Sequence, residues 1–273
     1  MTTIRLLVID PQVDFCDGPC NGTLPVPGAY NDMVRLSAMI DRIGDKIDDI
    51  AVTLDSHRTI DVAHSPFWVD SRGRNPAPFT MITDADVESG FWTPRNPAWR
   101  PRMLEYTLQL KANDKYVLRI WPTHCLIGSA GHAIHPVLFM ALRAWEASQF
   151  GIINYVTKGS NLFTEHYSAV QAEVPDPDDF STLLNTDLID SLRESDVILL
   201  AGEALSHCLL STVQDIADNI GEEHVKKFVL LTDCTSAIPA SPGSPDFPAI
   251  SEKWIAGMKK RGMRTALSTT FLA

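Results

Sequence analysis

The stretch Val197-Ile-Leu-Leu-Ala-Gly-Glu-Ala-Leu-Ser-His-Cys-Leu-Leu210 places a cysteine where an apolar strand turns into an amphipathic helix. Val197 to Ala201 reads as a strand buried on both faces, and Gly202 permits a tight turn after it. Beyond the turn, Leu209, Val213, Ile216 and Ile220 recur at helical spacing, so Cys208 is expected in or beside the first helical turn. Unpaired backbone N–H groups and the positive end of the helix dipole there favour thiolate over thiol. Cys208 is thus a candidate nucleophile. The competing reading is a buried structural cysteine that behaves as a small hydrophobe.

The same strand-to-helix pattern recurs along the chain. Ile4 to Asp10 is an apolar run ending in an acid, followed by a Gly- and Pro-rich loop to Gly28 and a helix carrying Met33, Leu36, Ile40, Ile43 and Ile47. Asp49 to Leu54 is a second strand, with Asp55-Ser-His57 leaving its C-terminal end. Tyr116 to Trp121 reads as a further core strand, then a helix around His135 to Ser148, a strand Ile152 to Thr157 ending in Lys158-Gly159, and a helix Phe180 to Arg193. After the Cys208 unit come a strand Lys227 to Leu231, a Ser/Pro-rich loop Thr235 to Pro248, a helix Ile250 to Arg261 and a last strand near Thr265 to Leu267. This alternation predicts a doubly wound α/β fold, a mostly parallel sheet with helices on both faces.

One segment departs from the pattern. From about Pro66 to Lys115, six prolines are interleaved with Phe67, Trp68, Phe79, Phe91, Trp92 and Trp99, and only Met103 to Leu110 looks helical. Prolines at that density argue against a continuous core, so the segment reads as an insertion at about 66–115 within a single domain spanning 1–273. Its aromatics are expected to cover a pocket or a neighbouring subunit, or to pack on one another as a surface excursion.

Composition narrows the function classes. With 45% hydrophobic and 21% charged residues the chain has the make-up of a globular protein with a substantial core. No apolar run approaches the ~20 residues of a membrane helix, and Met1-Thr-Thr-Ile-Arg5 leads straight into a strand. A cytoplasmic protein with no membrane partner is expected. The five cysteines are odd in number and form no CxxC pair, which disfavours disulfide frameworks and zinc ribbons. A net charge of -11 without a basic cluster disfavours nucleic acid, leaving a small molecule as the expected ligand; self-association into a homo-oligomer is also expected.

Four polar features fall at predicted C-terminal strand ends: Asp10, Asp55 with His57, Lys158 and Cys208. In a parallel sheet those ends share one edge, where ligands bind. A carboxylate to take the thiol proton, an ammonium to hold the thiolate and a thiol are the parts of a cysteine hydrolase. Residues i and i+2 of an extended segment face one way, so Asp55 and His57 converge; with His124 of Trp121-Pro-Thr-His124 they form a reasonable shell for a zinc-like ion. His132, His135, His166 and His224 are read as surface or core histidines, and His207 is expected to point away from the nucleophile.

Taken together, Val8-Ile-Asp-Pro-Gln-Val-Asp-Phe-Cys16, Thr53-Leu-Asp-Ser-His57, Trp121-Pro-Thr-His-Cys125, Lys158-Gly159 and Gly202-Glu-Ala-Leu-Ser-His-Cys208 resemble, in order, the motifs of the nicotinamidases in the isochorismatase-like cysteine hydrolase superfamily. The resemblance implies a triad of Asp10, Lys158 and Cys208 and a divalent metal, zinc with iron or manganese as alternatives, on Asp55, His57 and His124. It implies a non-proline cis peptide near Glu203-Ala204, an oxyanion hole from the N–H groups of Ala204 and Cys208, and Phe15 and Trp121 on the two faces of a flat substrate. The implied reaction is hydrolysis of nicotinamide or a similar small carboxamide through a thioester. The alternatives are another small amide, carbamoyl or ureido substrate, or metal-free hydrolysis of an isochorismate-like ether. The chain departs from the family in its long insertion, in a His57-to-His64 spacing that does not match the occasional fourth ligand, and in Glu203 and Leu205 at expected pocket-edge positions.

Overall fold

The computed structural model describes residues 2–240 and 244–272. Residues 241–243, in the expected Thr235 to Pro248 loop, lie outside the described residues, as do Met1 and Ala273. The chain opens with β1 (Ile4–Ile9), α1 (Ala29–Ile43) and β2 (Asp49–Asp55). The proline-rich segment and its exit hold the two-residue strands β3 (Trp68–Val69), β4 (Met81–Ile82), β5 (Thr93–Pro94) and β6 (Leu118–Arg119), with helices α2 (Asp84–Ser89) and α3 (Arg100–Ala112). The rest runs α4 (Pro136–Gln149), β7 (Asn154–Lys158), α5 (Thr186–Arg193), β8 (Val197–Gly202), α6 (Leu210–Asn219), β9 (Phe228–Leu231), α7 (Phe247–Lys260) and β10 (Arg264–Ala266).

Six strands form one sheet in the order β10-β9-β8-β1-β2-β7, every pair parallel. Side chains alternate across it. Leu6 and Val8 face a layer built by Met33, Leu36 and Ile40 of α1 with Leu138, Leu142 and Trp145 of α4. Leu7 and Ile9 face the other layer, where Leu188 and Leu192 of α5, Val213 and Ile216 of α6 and Met258 of α7 pack. A strand sandwiched this way must be apolar at every position, which is why β1 and β8 read as unbroken hydrophobic runs. The expected doubly wound arrangement, helices on both faces of a parallel sheet, is the observed one. Chain order reverses around β1, and the C-terminal ends of β8, β1, β2 and β7 stand side by side, where such folds bind ligands.

Two expectations are corrected. Tyr116 to Trp121 is not a strand of the main sheet: only Leu118–Arg119 is extended, pairing antiparallel with Met81–Ile82 in a separate ribbon. An apolar run carries no information about its pairing partner. The insertion also has a core after all, with Val62, Phe67, Trp68, Ile82, Val87, Met103, Tyr106 and Leu110 buried together. Prolines occupy ribbon and helix-start positions here, where a missing N–H costs little. Helix α2 was not expected, although Thr83 and Asp86 form a capping box that the sequence displays. Phe67 stacks on Trp99 at 5.4 Å within this core, whereas Phe79 meets Trp121 edge-on at 6.1 Å.

Candidate active site

Asp10 follows β1, Asp55 ends β2, Lys158 ends β7 and Cys208 lies in the turn after β8, so adjacent strands deliver all four to one point. The Lys158 ammonium is 2.9 Å from Asp10 Oδ2 and 3.0 Å from Asp55 Oδ1. It also donates to the His166 carbonyl at 2.8 Å and approaches Cys208 Sγ at 3.6 Å. All four side chains are buried. Two glycines permit this crowding. A Cβ on Gly202, at φ 110°, would lie 2.0 Å from the Ile9 carbonyl oxygen, and one on Gly159, at φ 80°, would lie 2.7 Å from Asp55 Oδ1.

The charges are interdependent. Burial opposes the Lys158 ammonium, but Asp10, Asp55 and Cys208 more than offset it and hold its pKa well above the usual value. Burial raises the Asp10 carboxyl despite the pull of Lys158 and of the Thr53 hydroxyl. Thr53 Oγ1 donates to Asp10 Oδ1 at 2.5 Å and accepts the Asp10 N–H at 2.9 Å. Burial likewise lifts the Cys208 thiol well above its usual value, and Asp10 and Asp55 oppose the help of Lys158. These influences favour the thiol over the thiolate. Cys208 sits in a π-helical turn, Leu205–Leu209, directly before α6 begins at Leu210, so it lies beside the first helical turn as expected. Lys158 and Asp10 are the charged groups set against it.

Next to this group stand three buried imidazoles, of His57, His64 and His124, each with a nitrogen within 4.8 Å of the others. Asp55 Oδ2 is 2.9 Å from His57 Nε2 and 3.4 Å from His124 Nε2. Ligand atoms at about 2.0–2.1 Å from a tetrahedral ion stand about 3.3 Å apart, so these spacings fit a divalent metal. The Nδ1 atoms are met by oxygens: Asp61 Oδ2 at 2.9 Å from His57, the Arg58 carbonyl at 3.2 Å from His64 and the Pro122 carbonyl at 2.8 Å from His124. His124 Nδ1 also lies 3.3 Å from His64 Nε2, while for His57 the Asp61 carboxylate orients the ring with Nε2 toward Asp55. His64 is an addition to the residues foreseen. Residues 57 to 64 run beside 121 to 126 through bridges His57–Leu126 and His64–Trp121, a tertiary pairing that its spacing from His57 does not reveal.

A pocket opens onto Cys208, walled by Phe15, Trp121, His124, Glu165, Tyr167 and Ala204 among others. Phe15 and Trp121 both line it. The peptide Glu203-Ala204 is cis, and the Ala204 N–H has no acceptor among the described residues. His207 is part of the pocket wall, with its ring packed against Tyr116, Trp121, Tyr167 and Phe247; burial, with help from Arg119, pushes its pKa down to about 3. Glu203 and Leu205 are not pocket-edge residues; Glu203 turns inward to Asp32 and accepts the Ser236 N–H at 3.2 Å. His166 is the buried core histidine expected, and it also braces the site: its backbone carbonyl holds Lys158 and its Nδ1 accepts the Gly159 N–H at 3.1 Å. Missed altogether were Gln12, which exchanges two hydrogen bonds with the Asp55 backbone at 2.8 and 2.7 Å, and Glu165, which burial raises to about 7. The Gln12 within Asp10-Pro-Gln12 was a signal in reach, whereas Glu165 had none.

A scan against protein-family models finds no match. The nicotinamidase of Escherichia coli strain K12 is 30% identical over 216 residues, covering 77% of this chain and 74% of that protein. A nicotinamidase/pyrazinamidase of Acinetobacter baumanii superposes with a TM-score of 0.62 at 18% identity, covering 98% of both chains. A pyrazinamidase of Pyrococcus horikoshii in complex with zinc gives 0.53 at 17% identity, over 97% and 98% of the two chains. These structural likenesses establish the shared fold, and the Escherichia coli relative establishes kinship: the chain belongs to the nicotinamidase family of amidohydrolases.

Proposed function

We propose that this protein hydrolyses nicotinamide or a closely similar small carboxamide to the carboxylate and ammonia through a thioester on Cys208. The observation that carries the proposal is the Lys158 ammonium set between Asp10 at 2.9 Å and Cys208 Sγ at 3.6 Å at the wall of an aromatic pocket. Asp10 accepts the thiol proton as sulfur attacks the carbonyl carbon, and Lys158 steadies the charge on both partners. The C–S bond forms and the carbonyl oxygen becomes an oxyanion, received by the N–H groups of Ala204 and Cys208. Collapse breaks the C–N bond, and the proton on Asp10 leaves with ammonia. Water then cleaves the thioester, giving the carboxylate and restoring the thiol. Phe15 and Trp121 hold the flat ring by offset stacking, worth about 0.5–1.5 kcal/mol per ring pair beyond burial.

Asp55, His57 and His124, joined by His64, are the residues that would hold a divalent ion, zinc or alternatively iron or manganese. When bound, such an ion supplies a Lewis acid toward a ring nitrogen of the substrate. The buried imidazole set speaks against the metal-free ether reading. We further read residues 1–273 as one hydrolase domain with its insertion at about 66–115. No helix among the described residues is long and apolar enough to cross a membrane, and all five cysteines are free thiols, which suits a reducing cytoplasm. Met140, Phe150 and Ile152 are exposed large apolar side chains that suit a homo-oligomer. The test is Cys208→Ala with ammonia release from nicotinamide. Activity should fall by about 10⁴-fold or more, and persistent release would remove Cys208 from the reaction.

A further inference from the structure

Just outside the catalytic pocket lies a cation the reaction does not use. Arg119, in the β4–β6 ribbon, is only 7% exposed. Its Nη1–H donates to Ser244 Oγ at 3.0 Å, and its guanidinium carbon lies 5.6 Å from the Trp121 ring and 5.7 Å from the Phe247 ring. Among the described residues no carboxylate comes within ion-pair distance of it, although the chain carries 34 acidic against 23 basic residues. A largely buried charge without a counter-charge is costly, and an incoming anion would relieve it.

Arg119 lines a chamber of about 390 Å³ whose other walls include Phe79, Phe247 and Pro25, with no acidic residue among them. Chamber and catalytic pocket share Leu24, Val26, Trp121 and Ile238, so one is the antechamber of the other. The Arg119 charge is felt across that wall, where it adds to burial in depressing His207. The insertion supplies Phe79, and its exit strand supplies Arg119, so the segment with no assigned role in the sequence builds this space.

We propose that Arg119 is an anion-selecting residue: the antechamber receives a carboxylate or similar anionic substituent on the far side of an aromatic carboxamide whose amide reaches Cys208. The assignment rests on Cys208 as the amidase nucleophile. A guanidinium walled by rings suits it, because its planar fork pairs bidentately with a carboxylate while ring faces hold an apolar spacer. Binding energy from that remote group serves to orient the amide.

The test compares pyridine-3-carboxamides carrying, at ring position 5, either a propionate side chain or its methyl ester, with ammonia release as the readout. Wild-type enzyme should favour the propionate over the ester at least tenfold in kcat/KM. Arg119→Met should bring that ratio close to one, and Arg119→Lys should retain part of it. A wild-type ratio of one or below, or a ratio that survives in Arg119→Met, overturns the proposal. The wild-type ratio stands whether or not the methionine variant folds. Failure of wild type to release ammonia from any amide, nicotinamide included, would overturn the amidase reading and this proposal with it. Release from nicotinamide without preference within the pair would overturn this proposal alone.

Discussion

Removing one methyl-sized hydroxyl from β2 tests how Asp10 is kept available as a base. Thr53→Val preserves shape but deletes the group that donates to Asp10 Oδ1 at 2.5 Å and accepts the Asp10 N–H at 2.9 Å, in a fully buried setting. A hydrogen bond to a charged group contributes about 1.5–3 kcal/mol and a neutral one about 1, so stability should fall by about 2–4 kcal/mol. The hydroxyl also lowers the Asp10 pKa, which burial has already raised above 3.8. If about half of the charged bond's energy is lost when Asp10 takes a proton, the pKa rises by about one unit at 1.36 kcal/mol per unit. As the proposed base Asp10 acts in its ionised form, so the acid limb of kcat/KM for ammonia release should move about one unit to higher pH. Urea unfolding would report the stability loss, and Thr53→Ser should restore most of both effects. A folded Thr53→Val enzyme with an unshifted acid limb would refute the role given to Asp10.

Other expectations follow from the same geometry. Asp61→Asn removes the carboxylate that holds His57 Nδ1 at 2.9 Å and should weaken metal affinity about 10–100-fold, read by metal retention against a competing chelator. Chelation should raise KM for nicotinamide while Cys208 remains open to alkylation by iodoacetamide. Gly159→Ala puts a Cβ 2.7 Å from Asp55 Oδ1 at φ 80°; it should cost more than about 2 kcal/mol of stability by denaturant titration and lower kcat at least about tenfold. Burial and the nearby Asp32 raise the Glu203 pKa well above 4.5, so the folded state binds a proton more tightly than the unfolded chain. Stability is therefore lost as pH rises from 4.5 through the folded value, and Glu203→Gln should flatten that decline in urea midpoints measured between about pH 5 and about pH 8.

The catalytic edge was legible because its residues obey a one-dimensional rule: Asp10, Asp55, Lys158 and Cys208 each close or follow an apolar run, and parallel strands bring such ends together. Phe15, Trp121, His57 and His124 came with the motifs around them. What stayed hidden depends on partners distant in sequence. Thr53, Asp61 and the His166 carbonyl matter only through the atoms they touch. His64 joins the imidazoles because two loops lie side by side, and Tyr116 to Trp121 left the sheet because strand pairing is decided by the whole packing. Glu203 was misread because the family resemblance puts it at a pocket edge, whereas its side chain turns toward Asp32 of α1.

Lys158 sits on β7, one of the sheet's two edge strands, which pairs with β2 alone among the described strands and leaves Asn154 to Thr157 exposed or half-buried. Edge strands open locally at less than the free energy of global unfolding. Here the strand's one deeply buried side chain is the ammonium gripped by Asp10, Asp55 and the His166 carbonyl, so the cation proposed for catalysis doubles as the clasp that closes the sheet. Fraying of β7 withdraws the charge from the thiol while the five inner and opposite strands stay paired. Catalytic competence thus reports the integrity of one open edge of the sheet, and occupancy of the site is itself a means of holding that edge shut.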